Sequence, residues 1–302
     1  MNARTIYSAD PRRGWQPWGI FVPFLGFAFI VASVGSLTVL LHAIGLVDAN
    51  ENPVGLAGFA AYLLLPFAML GLVVLLWVRF VERRSFATIG LVDRERTLTF
   101  ARGHLTAVAM VSTVVAAIWG AGAYRASALL QAIHSPAGLS NALILLVCIA
   151  VQSSVEEIVF RGWMLSAISA KFGSAIAIIL TSLVFTFLHY EPRASGIFIV
   201  NVFIFAVFAA CWAIRSGQIW SVMGWHSGWN WLLATGFGLR MTGLDAHTPV
   251  LLVRMTYAGP DYLTGGAEGP EGSLACTSVL IAGIIFLALS ARRRAPAGAL
   301  QT

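Results

Sequence analysis

The chain has 302 residues, of which 58% are hydrophobic and 11% charged, with a formal net charge of +6. Soluble domains carry about 25% charged residues, so this composition excludes a water-exposed globule and points to an all-α, polytopic membrane helix bundle. The positive balance comes with no nucleic-acid-binding motif; it is assigned to membrane topology, and no nucleic-acid partner is expected.

Residues 1–16 form a polar tail. Apolar stretches then recur eight times, at 17–46, 54–79, 104–128, 138–165, 174–190, 196–214, 218–238 and 274–291, each long enough to be read as a membrane span. The first runs past signal-peptide length and is expected to be a retained helix. Residues 17–291 are thus expected to form one eight-helix membrane domain, followed by a basic tail at 292–302. Two connectors are long. Val81 to Gly103 is rich in arginine and is expected to lie partly at the interface. Arg240 to Gly272 is polar, acidic and glycine-rich, and is expected to be an irregular loop on the opposite side. Arginines gather in alternate connectors: Arg4, Arg12, Arg13, Arg83, Arg84, Arg94, Arg96, Arg102, Arg215 and Arg292 to Arg294 share one side with Lys171. The positive-inside rule makes that side, and both termini, cytoplasmic. Cys148, Cys211 and Cys276 fall in apolar spans without metal-ligand spacing and read as small buried hydrophobes.

Glu156 and Glu157 stand side by side in the fourth span. A charged side chain at the bilayer centre costs roughly 2.5–3.5 kcal/mol on insertion scales, so the pair demands a partner, a pathway or a chemical step. Three polar clusters interrupt the second half of the bundle: Glu156-Glu157-x-x-x-Arg161, Phe185-x-x-x-His189 and His226-x-x-x-Asn230. Each spans one helical turn and presents neighbouring side chains on one face. Successive helical residues are about 100° apart, so Glu156 and Glu157 are not expected to point at one centre. Glu157 and Arg161 are assigned to an internal ion pair, which leaves Glu156 free to face a cavity. Glu156 and His189 lie about equally far from the turn near Phe172-Gly173, so both climb roughly 25 Å, whereas His226 and Asn230 climb roughly 14–20 Å. Tilt or protrusion of helices is needed to bring the four together.

A carboxylate beside a neutral imidazole can activate water for attack on a carbonyl. A second histidine and an amide one turn apart can donate hydrogen bonds to the resulting oxyanion. Two histidines and a glutamate also form a known zinc ligand set. No H-E-x-x-H is present and Asn is a poor zinc ligand, so metal-free chemistry without a cofactor is favoured, and zinc is the competing reading.

The three clusters, in this order over roughly residues 140–240, resemble the CPBP family of CAAX prenyl endopeptidases and bacteriocin-processing enzymes, also called the ABI group. The resemblance implies an eight-helix intramembrane endopeptidase of the glutamate type. It assigns Glu156 as general base, His189 to holding the water, and His226 and Asn230 to the oxyanion hole, with Glu157 and Arg161 supporting the site. Phe185 is expected to pack beneath it. The expected partners are a peptide or protein substrate at the membrane and the lipid bilayer, and the arginine- and alanine-rich style points to a bacterial inner membrane. Prenylated CAAX substrates are not expected in bacteria, so the family's substrate does not carry over.

The alternative reading is a non-enzymatic scaffold or bacteriocin-immunity relative that retains the polar core. A proton-coupled transporter is a third, disfavoured by the lack of paired half-structures. His42, His104, His134 and His247 sit at helix ends or in loops and are assigned no role. Trp225, Trp229 and Trp231 are expected to pack helices or wall the cavity.

Overall fold

A computed structural model describes residues 6–7, 14–50, 52–92 and 95–292, with backbone only for the last two. Eight helical segments follow the eight apolar stretches. They are α1 (Val22–Ala43), α2 (Gly55–Val81), α3 (Arg96–Gly120), α4 (Pro136–Phe172), α5 (Ser174–Leu188), α6 (Gly196–Ser216), α7 (Trp220–Trp231) and α8 (Leu274–Arg292). Of these, α1, α2, α3, α4 and α6 are long and apolar enough to cross a membrane; α5 and α8 are shorter apolar helices. The arginines at 4, 12, 13, 94, 293 and 294, which carried much of the orientation argument, lie outside the described residues.

Three connectors differ from expectation. The third helix begins at Arg96 and ends at Gly120, eight residues earlier at each end than the apolar stretch suggests. Gly122, at φ +75°, turns the chain out of the helix. Residues Tyr124–Leu129 then form strand β1, antiparallel to β2 (Val253–Tyr257), with Tyr124 opposite Tyr257 and an irregularity between Ala126 and Leu129. The connector from Arg240 to Gly272 is therefore ordered: it contributes β2, a helical turn at Asp261–Thr264 and two 3-10 turns. Its glycines permit backbone to meet backbone, since a Cβ on Gly265 would lie 1.6 Å from the Gly269 carbonyl oxygen.

The arginine-rich connector is also more deeply placed than an interfacial segment. Glu82 and Arg84 are buried, paired at 2.8 Å between Arg84 Nε and Glu82 Oε2. The indoles of Trp77 and Trp163 donate to Glu82 Oε1 at 2.9 and 2.7 Å, and the Arg84 guanidinium donates to Ser166 at 3.3 Å. This set of hydrogen bonds is what allows two charges to leave water together. Gly14 N–H and the Gln16 side chain bond the Glu82 carbonyl. Tyr7, from the segment read as a polar tail, is buried and donates to the Arg161 carbonyl at 2.6 Å.

Small residues set the helix packing. The crossing of α3 over α7 is close because Gly103 faces Ser221 and Gly224 faces Phe100; a Cβ on either glycine would lie 2.0 or 1.9 Å from a carbonyl oxygen of the other helix. Lipid tails give apolar side chains no reason to leave them, so membrane helices associate through this kind of backbone approach. Helix α4 packs against α2 and α7, and α6 lies between α5 and α8. Trp163, Trp225 and Trp229 are fully buried at the centre. Cys148 and Cys276 are buried and Cys211 is half-buried, all as free thiols.

Candidate active site

Helix α4 carries the acidic pair. Ser135 caps its start by accepting from the Gly138 N–H at 3.3 Å, and Pro136 occupies the first turn, where its missing N–H is harmless. The helix is regular through Glu157, then widens to a π-helical stretch over Ile158–Met164 before resuming. Such π segments inside α-helices recur at functional sites. Gly173, at φ +82°, ends α4 and opens α5.

The two glutamates meet at one imidazole, which corrects the expectation that they diverge. His226 Nδ1 lies 2.8 Å from Glu157 Oε1, and His226 Nε2 lies 3.7 Å from Glu156 Oε2. The helical divergence of the two carboxylates is real, but an imidazole has nitrogens on both sides, and α7 inserts this ring between them. Glu157 also takes the expected ion pair, with Arg161 Nη1 at 3.0 Å. Glu156 Oε1 accepts from Gln152 at 2.8 Å, while its Oε2 is buried with no hydrogen-bond partner among the described residues.

Asn230 reaches the same group through intermediates. Its amide approaches Ser153 Oγ at 3.5 Å; Ser153 donates to Gln152 at 3.0 Å, and Gln152 donates to Glu156. Gln152 and Ser153 were not singled out from the sequence, although Gln152 stands one turn before Glu156 and so shares its face.

His189 follows the last residue of α5 and its Nδ1 bonds the Phe185 carbonyl oxygen at 2.8 Å. It faces His226 across a cavity of ≈ 20 Å³ for a water-sized occupant, about the space one water needs. Phe185, Asn201, Phe205, Trp229, Thr242 and Glu271 help to line it. Phe185 lies under the site as expected. Its ring centroid is 4.4 Å from that of His189, 4.5 Å from the Arg161 guanidinium carbon and 6.4 Å from the His226 ring. Phe205 adds an edge contact to His226 at 5.0 Å.

The structure therefore links Glu156, Glu157, Arg161, His226 and Phe185 in one chain of contacts, ties Asn230 in through Ser153 and Gln152, and sets His189 across the cavity. Trp225 and Trp229 pack helices, and Trp229 also walls the cavity. Among the described residues, no group of three or more His, Cys, Asp or Glu side chains is arranged to hold a metal ion.

A buried polar centre inside a bundle with five helices long and apolar enough to cross a bilayer is that of an integral, multi-pass membrane protein. The profile of a family described as type II CAAX prenyl endopeptidase Rce1-like matches residues 138–232, the segment that carries all three motifs. The match makes this motif-bearing core similar to the CPBP/CAAX protease family, a family of peptidases. A search of curated proteins returns no match.

Proposed function

We propose that this protein hydrolyses a peptide bond of a membrane-associated protein substrate, using water activated by Glu156 together with an imidazole. The observation that carries the reading is the convergence of Glu156 and Glu157 on His226 within the segment that the endopeptidase profile matches.

The carboxylate of Glu157 fixes the ring of His226. With Nδ1–H donating to Glu157, the neutral ring turns its Nε2 lone pair toward Glu156 Oε2, so two acceptors face each other at 3.7 Å. A water that donates one hydrogen to each satisfies both and is polarised by both. Glu156 takes one proton as the water oxygen attacks the carbonyl carbon, and the carbonyl oxygen becomes an oxyanion. The Asn230 amide is the donor at hand for that charge. Collapse of the tetrahedral species breaks the C–N bond, and the proton held by Glu156 passes to the leaving amine. His189 faces the same space from the other wall and orients the water or the scissile carbonyl. Arg161 and Phe185 hold Glu157 and the rings in register. This division puts His226, rather than His189, beside the base.

The topology that accompanies this reading is eight spans with both termini cytoplasmic, in a bacterial plasma membrane. The test is a comparison of membrane peptides from cells expressing wild type and Glu156→Ala. Peptides that end at a common new terminus only in wild type support hydrolysis; identical peptide sets sink it. A scaffold or immunity protein would instead keep its biological effect intact in Glu156→Gln.

A further inference from the structure

We propose that Glu271 is a positioning residue of this site: a third carboxylate, delivered by the connector before α8, that faces His226 and His189 across the cavity and keeps negative charge there. The proposal rests on the peptidase reading for its catalytic meaning, but its central observation does not. Glu271 lies well beyond the matched segment, in the stretch Gly269-Pro270-Glu271-Gly272.

Three donors hold its carboxylate. Trp229 Nε1 donates to Oε1 at 3.1 Å, and Thr242 donates to Oε2 through both its backbone N–H and its hydroxyl, the latter at 3.1 Å. The indole and the backbone amide can only donate to this group, which suits an ionised acid. Thr242 adopts φ +50°, an uncommon conformation for a β-branched residue. Strained backbone of this sort persists where surrounding contacts enforce it, and here they are the Met241–Leu244 turn and the two bonds to Glu271. The Glu271 backbone carbonyl is fixed in turn by Asn201 of α6 at 2.7 Å. One residue thus ties the ordered connector to α6 and to α7.

The tie on α7 falls between the two motif residues of that helix. Trp229 is three residues after His226 and one before Asn230, and its ring packs on Phe205, which itself contacts His226. Burial pushes the Glu271 carboxyl up, while the Thr242 and Trp229 hydrogen bonds and the field of His226 pull it back. The titratable groups that face His226 are Glu156 and Glu157 from α4, His189 from α5 and Glu271 from the connector, with Cys276 of α8 on the wall of the same cavity. Arg161 is occupied by Glu157. The Glu271 carboxylate thus lines the same cavity as the His226 and His189 rings.

The experiment is a histidine titration of full-length protein in detergent micelles, labelled with ¹⁵N-histidine and with the resonances assigned by substitution. Glu271→Gln removes the charge, so the His226 midpoint is expected to fall by about half a pH unit or more. An unchanged midpoint in a folded Glu271→Gln protein overturns the proposal. If that variant does not fold, Thr242→Val keeps the acid but withdraws one donor. It weakens the ionised form of Glu271 and should lower the His226 midpoint in the same direction by a smaller step; no movement there overturns the proposal as well. Neither titration requires a substrate, so either can fail while peptidase activity stands. The converse also holds, since an inactive protein with the shifted midpoint would sink only the peptidase reading.

Discussion

The guanidinium carbon of Arg161 lies 4.5 Å above the ring of Phe185, and the opposite partner of that guanidinium is Glu157 at 3.0 Å. One aromatic ring thus supports a buried cation, and that cation supports a carboxylate that fixes the imidazole of the site. A cation over a desolvated ring gains about 2 kcal/mol, and truncating a buried Phe costs about 3–5 kcal/mol. Phe185→Ala is therefore expected to lose stability in that range, read from unfolding in detergent, and to lose activity with it. A variant with wild-type stability and turnover would show that the ring supports nothing.

Arg161→Met strands Glu157 in a dry interior with His226 as its one remaining hydrogen-bond partner among the described residues. Breaking a buried pair from one side costs about 3–5 kcal/mol. The double variant Glu157→Gln/Arg161→Met removes the stranded charge and should recover more than half of that loss. Equal losses in single and double variants would mean that the pair carries no coupling.

Glu156→Gln is nearly isosteric and keeps an acceptor for Gln152. The protein should fold with an unfolding midpoint equal to or above that of wild type, because a buried charge is gone. Hydrolysis by purified protein should fall by at least about 10²-fold. A smaller fall would move the base elsewhere.

Two glycine substitutions separate packing from propensity. A Cβ on Gly224 lies 1.9 Å from the Phe100 carbonyl oxygen, whereas one on Gly120 meets nothing within 4 Å. Gly224→Ala should force α3 and α7 apart and abolish folded protein. Gly120→Ala should be neutral or stabilising by up to about 1 kcal/mol. Size-exclusion profiles and thermal midpoints of the two variants check this pair.

The helices were legible in the sequence because membrane spans write themselves as long apolar runs. The motif residues were legible because charge in such a run is costly. What stayed hidden has a common physical origin. Glu82, Arg84 and Glu271 lie in connectors whose composition is polar, and composition does not say which polar side chain folds back inside. Burial there is set by partners distant in sequence, such as Trp163 for Glu82 and Trp229 for Glu271. The meeting of Glu156 and Glu157 at His226 was missed because helix geometry was applied to the two acids without allowing their partner two faces. The ribbon of β1 and β2 was missed because its short strands pair across more than a hundred residues and lie inside segments read as a membrane span and a loop, although both alternate apolar and polar residues.

A substrate chain is far larger than the ≈ 20 Å³ between His189 and His226, and Glu156 is only 8% exposed. The resting molecule is therefore shut against the bond it is proposed to cut. Each turnover must include a separation of helices wide enough to admit an extended backbone, followed by reclosure that expels bulk water. Motions of that kind occur in microseconds to milliseconds and frequently limit kcat. On the peptidase reading, selectivity would lie as much in which chains can part the helices as in which bonds can be broken.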